Sequence, residues 1–139
     1  MRALIVEDSS VVRKVIAAKL RQTGIPVREI LEASDGEQAL DLIRNYEAQG
    51  KPLSLILCDL NMPVLDGLGF IELLRKEGLS ARTVIVVITT EFKETTVLRA
   101  HASGVSGYIR KPFTGDQLRV CIQPLLALSE AKGSASDAA

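Results

Sequence analysis

The sequence predicts an α/β protein, a doubly wound five-stranded parallel sheet with helices on both faces. Three observations predict it. Short, almost unbroken apolar runs recur at 3–6, 53–58 and 84–88, the pattern of strands covered on both sides. Segments with helical spacing follow them. Strand and helix alternate along the whole chain, and right-handed crossovers fold that alternation into one sheet with helices above and below.

The first strand, 3–6, is followed by a helical stripe of Val12, Val15, Ile16 and Leu20. A weaker strand at 27–33 leads to Ala39, Leu40, Ile43 and Tyr46. The run at 53–58 precedes Leu68, Ile71 and Leu74, and the run at 84–88 precedes a helix over 93–103. A second weak strand, 107–110, leads to the last stripe of Leu118, Cys121, Ile122 and Leu125. Ser34 with Glu37 and Thr114 with Gln117 have the spacing of reciprocal capping boxes. Gly24, Gly50 and Gly78 fall near helix ends, where a left-handed residue is often needed. Pro124 interrupts the final stripe and predicts a kink or an early stop. Residues 1–129 are expected to form one domain, and the small, polar stretch 130–139 a flexible tail.

Composition narrows the function. At 139 residues and 47% apolar, the chain suits one domain with one sizeable core. Seventeen basic residues balance seventeen acidic ones, so no global field draws in nucleic acid. Cys58 and Cys121 have no metal-ligand spacing, and Cys58 reads as a buried thiol within an apolar run. The chain has neither a signal-peptide pattern nor an apolar stretch long enough for a membrane, so a cytoplasmic protein is expected.

In an open parallel sheet, ligands bind beyond the carboxyl ends of the strands, where the strand order reverses. The first strand ends in Glu7-Asp8, the third in Asp59 and the fourth in Thr89-Thr90, while Lys111-Pro112 follows the fifth. Three carboxylates, two hydroxyls and an ammonium thus share one rim. Two like charges about 4 Å apart repel by roughly 4 kcal/mol at an effective dielectric of about 20. Lys111 offsets one charge; the rest calls for a divalent cation or a raised carboxylate pKa. Oxygen-only ligands favour Mg²⁺ over zinc. Such a cation would also attract a phosphoryl group, which makes Asp59 a plausible carboxylate nucleophile.

These residues resemble the CheY-like response-regulator receiver domain, most of all the stand-alone chemotaxis receivers. The resemblance covers roughly residues 2–128 and rests on four motifs in order. They are Glu7-Asp8-Ser9, Cys58 to Pro63 with Asp66-Gly67, Ile88-Thr89-Thr90-Glu91, and Lys111-Pro112-Phe113. It implies the flavodoxin-like strand order 2-1-3-4-5. It further implies that Asp59 accepts phosphoryl from a histidine kinase, and that Glu7, Asp8, Asp59 and the Asn61 carbonyl serve Mg²⁺. Thr89 and Lys111 would bind phosphoryl oxygens, Thr89 and Tyr108 would switch together, and Lys111-Pro112 would be a cis peptide. The implied partners are that kinase, a flagellar motor switch protein or another phosphorylation-dependent target, and a phosphatase. A receiver fragment of a longer regulator, or a phosphorelay receiver outside chemotaxis, is the alternative. An aspartyl-nucleophile phosphatase fits less well, because Asn61 stands where such enzymes carry a second acid.

Overall fold

A computed structural model of the chain describes residues 1–62 and 64–138, with side chains described through Glu130. The elements are β1 (Arg2–Val6), α1 (Ser10–Gln22), β2 (Glu29–Ala33), α2 (Gly36–Ala48), β3 (Leu55–Cys58), α3 (Gly67–Lys76), β4 (Val84–Thr89), α4 (Glu94–Ala102), β5 (Gly107–Arg110) and α5 (Gly115–Ala138). All neighbouring strands pair in parallel, in the order β2-β1-β3-β4-β5. The expected fold and strand order are both present.

Strand alternation explains why the apolar runs are unbroken. In β1, Leu4 and Val6 face one core while Ala3 and Ile5 face the other. The first core packs Ile56, Ile85 and Val87 against Ile43 of α2, Phe70, Ile71 and Leu74 of α3, and Ala100 of α4. The second packs Leu55, Leu57, Val86 and Ile88 against Ile16 and Leu20 of α1 and Leu118 and Ile122 of α5. Each fully buried Leu, Ile or Phe contributes about 1.5–3 kcal/mol. Both faces of β3 and β4 are therefore committed to packing, and polar chemistry is left to the strand ends.

Helix starts partly follow the sequence. Thr114 and Gln117 form the reciprocal box: the Gln117 N–H donates to Thr114 Oγ1 at 3.0 Å and the Thr114 N–H to Gln117 Oε1 at 2.9 Å. The box expected from Ser34 and Glu37 is displaced by one residue. Asp35 caps α2 by accepting from the Gln38 N–H at 2.9 Å, and Gln38 Oε1 accepts from the Ser34 amide and hydroxyl. The reason is tertiary: Gly36 donates to the Leu65 carbonyl, and a Cβ there would lie 2.8 Å from that oxygen. Only glycine lets α2 begin so close to the β3–α3 loop. Gly24, Gly50 and Gly78 all have positive φ, as does Gly104.

Pro124 does not end α5, which runs through it. Pro124 and Val120 are both exposed, so water can satisfy the carbonyl that loses its amide partner. The flexible tail expected over 130–139 falls, from residue 131 onward, outside the residues whose side chains are described. Cys58 and Cys121 are free thiols, the first buried and the second half-buried. Among the described residues, no helix is long and apolar enough to cross a membrane.

Candidate functional site: an acidic rim at the strand-order switch

From β1 the chain crosses to β2 on one side and then to β3 on the other, so the strand order reverses between β1 and β3. Val6 pairs with Cys58 at the end of that ladder. Glu7 and Asp59 are therefore the first residues past a shared register. The Asp59 amide donates to the Val6 carbonyl at 3.0 Å, and the Glu7 amide to Ala33 at 3.0 Å, so the ladders on both sides of β1 hold these acids in place.

One carboxylate oxygen from each of Glu7, Asp8 and Asp59 lies within 4.8 Å of the other two. Glu7 is 3% exposed, whereas Asp8 is open to solvent. Lys111 Nζ sits 3.1 Å from Glu7 Oε2 and 3.1 Å from Asp59 Oδ2. The Asn61 amide donates to Asp59 Oδ1 at 3.3 Å, and the Ser9 amide to Glu7 Oε1 at 3.3 Å. The Lys111–Pro112 peptide is cis. Three carboxylates thus face one ammonium. Burial, followed by hydrogen bonds to Asp59 and Asp8, pushes the Glu7 carboxyl up to about 7. Burial works against the Lys111 ammonium, but its bonds to Asp59 and Glu7 prevail and hold its pKa above the usual value.

The β3–α3 loop is shaped around Asp59. Asp66 caps α3 by accepting from the Gly69 N–H at 2.7 Å. The Gly67 amide donates to the Leu60 carbonyl at 3.1 Å, and a Cβ on Gly67 would lie 2.3 Å from the Asp59 carbonyl oxygen. Val64, in the same loop, has φ 67, an unusual conformation for a β-branched residue.

Thr89 and Tyr108 meet each other's neighbour rather than Asp59. Thr89 is fully buried, and its Oγ1 accepts from the Glu91 amide at 3.2 Å. The Tyr108 hydroxyl donates to the Glu91 carbonyl at 2.7 Å, and the Thr96 hydroxyl to Glu91 Oε1 at 3.1 Å. Glu91 is the junction between the two. Phe92 packs edge-on against the Tyr108 ring, centroids 4.8 Å apart, and the Arg110 guanidinium lies 4.0 Å from the Phe92 centroid. The sequence patterns above single out neither Phe92 nor Arg13, whose Nη1 bonds the backbone carbonyls of Glu7 and Asp8. A long cation one helical turn after two strand-end acids is the signal that could have found Arg13.

Residues 3–123 match the family model for the response regulator receiver domain. The chain belongs to that family. A chemotaxis protein CheY homolog of Campylobacter jejuni is 33% identical to this receiver domain over 135 residues, covering 97% of this chain and 99% of the relative. Chemotaxis protein CheY4 of Vibrio cholerae superimposes with a TM-score of 0.74 at 30% identity, covering 89% of this chain and 97% of the other. The receiver domain of a Francisella response regulator superimposes with a TM-score of 0.76 at 26% identity, covering 92% and 98%. Receiver domains are signalling switches of two-component systems rather than metabolic enzymes, and family members bind Mg²⁺ at an acidic pocket. In this receiver domain the acidic cluster Glu7–Asp8–Asp59 lies just past the ends of β1 and β3.

Proposed function

We propose that this receiver domain accepts a phosphoryl group on Asp59, with Mg²⁺ held by Glu7, Asp8, Asp59 and the Asn61 carbonyl, and signals by protein binding that depends on that modification. The observation that carries the reading is the Asp59 carboxylate. It is fixed at one oxygen by Lys111 and at the other by the Asn61 amide, beside two further carboxylates. The donor set suits the ion: all oxygen, one acid open to water, and more negative charge than one lysine balances. When bound, Mg²⁺ neutralises charge on the acids and on the incoming phosphoryl oxygens.

The remaining work falls to the chain itself. An Asp59 oxygen attacks phosphorus, the P–N bond to the donor histidine breaks, and its electron pair stays with the imidazole. Lys111, already on Asp59, pairs with a phosphoryl oxygen. Thr89 turns its hydroxyl toward another, which removes the acceptor of the Glu91 amide. Because Glu91 also receives the Tyr108 hydroxyl, that movement biases the position of Tyr108. A histidine kinase is the phosphodonor. The surface of α4, β5 and α5 beside Tyr108 is read by the target. Chemotaxis is the pathway the names of the CheY relatives support, and within this reading the target is a flagellar motor switch protein.

Labelling with acetyl phosphate tests the acceptor chemistry. The wild-type chain is expected to take up acid-stable, base-labile phosphate with Mg²⁺ and to lose uptake with a chelator; rapid labelling in chelator would remove the metal from the reading. Partner affinity should rise in the beryllofluoride–Mg²⁺ form, and equal affinity for both forms would end the switch proposal.

The raised Glu7 pKa gives a pH dependence. Between about 4.5 and about 7 the folded chain holds more protons than the unfolded one. Glu7's contribution to stability is therefore complete below that range and lost as pH rises through about 7. Mg²⁺ needs the ionised form, so its affinity should weaken by about tenfold per pH unit below 7. Titrations at several pH values check this, and a flat profile from acid to neutral pH would contradict it.

A further inference from the structure

The carbonyls of Glu7 and Asp8 lie past the end of β1, where the strand ladders stop supplying donors. Arg13 supplies them instead. Its Nη1 is 2.7 Å from the Glu7 carbonyl and 3.3 Å from the Asp8 carbonyl, while its Nε is 3.0 Å from Glu32 Oε1. Arg13 sits one turn into α1, its own amide bonded to the Ser9 carbonyl at 2.9 Å. Side chains on a helix tilt toward its N-terminus, so this position reaches back under the acidic loop.

We infer that Arg13 is a positioning residue for the acidic pair, holding the Glu7–Asp8 backbone so that both carboxylates meet Asp59 and the cation. The inference rests on the Mg²⁺ and phosphoacceptor reading above. Its guanidinium side chain is 17% exposed, whereas Glu32 is 46% exposed. The ion pair with Glu32 is thus a screened surface contact of small worth. It orients the guanidinium, and the carbonyl bonds carry the effect. Lysine offers its three donors from one point on a flexible stem, so it can reach the carbonyls but lacks the rigid fork that places Nε on Glu32 and Nη1 on the carbonyls together.

The test is Mg²⁺ titration of the full chain by calorimetry, for wild type, Arg13→Ala, Arg13→Lys and Glu32→Gln, each paired with a metal-free thermal midpoint. Outer groups that orient metal ligands typically change affinity by about 10–100-fold. Arg13→Ala should weaken Mg²⁺ binding by at least about tenfold, Arg13→Lys by less, and Glu32→Gln only slightly. At saturating Mg²⁺ the acetyl-phosphate labelling rate of Arg13→Ala should return close to that of wild type, separating affinity from chemistry. Unchanged affinity in Arg13→Ala, with or without a lower midpoint, overturns the inference. If Arg13→Ala does not fold, wild-type affinity in Arg13→Lys overturns it equally. A wild-type chain that binds no Mg²⁺ overturns this inference and the reading beneath it together.

Discussion

Replacing Asp59 by asparagine is expected to abolish phosphate uptake from acetyl phosphate while leaving the fold intact. The substitution keeps the shape of the side chain but removes the nucleophilic carboxylate. It leaves an amide opposite the Lys111 ammonium and the Asn61 N–H, both of which now donate to Asp59. The rest of the site becomes easier to hold: two acids face Lys111 instead of three, and Glu7 loses the hydrogen bond to Asp59 that helps to raise its pKa. Metal-free stability should therefore stay level or rise, and labelling should vanish. Base-labile phosphate on Asp59→Asn at the wild-type level would place the acceptor elsewhere, with Asp8 and Glu7 the nearest carboxylates.

The largest loss of stability is expected from Gly67→Ala. Its Cβ would meet the Asp59 carbonyl oxygen at 2.3 Å, Leu60 Cα at 2.9 Å and the Asp59 carbonyl carbon at 3.1 Å. All three are backbone atoms of the loop that carries the acceptor, so no rotamer change relieves the contact. Either α3 backs away and breaks the Gly67–Leu60 hydrogen bond, or Asp59 moves. A cost of about 3 kcal/mol is expected, the upper end for overpacking. Gly50→Ala makes the contrast: its φ is 71 but nothing lies within 4 Å, so backbone strain alone, about 1 kcal/mol, applies. Denaturant unfolding of both variants, with labelling of the first, measures the difference. A wild-type midpoint for Gly67→Ala would show that the loop yields freely.

Much of this was legible because apolar runs that stop abruptly at acids mark strand ends, and parallel pairing carries those ends to one edge. Glu7, Asp8, Asp59 and Lys111 could be placed together in that way: the three carboxylates cluster within 4.8 Å, and Lys111 bonds Glu7 and Asp59. What the sequence concealed depends on distant neighbours. The start of α2 is set by Gly36 against Leu65, which no local capping pattern encodes. Glu91 links Thr89 to Tyr108 through its backbone, whose partners do not depend on the residue type. Pro124 is tolerated because it faces solvent, a fact of burial rather than of pattern.

Lys111 is separated along the chain by 104 residues from Glu7 and by 52 from Asp59. During synthesis, therefore, the three acids leave the ribosome long before the lysine that bonds Glu7 and Asp59. Until β5 docks at the sheet edge, like charges oppose the closing of β1 on β3, and the last strand brings the cation that relieves them. The proposed acceptor site is thus completed by the last strand of the sheet, so a copy broken off before β5 lacks the lysine that a working signal would need.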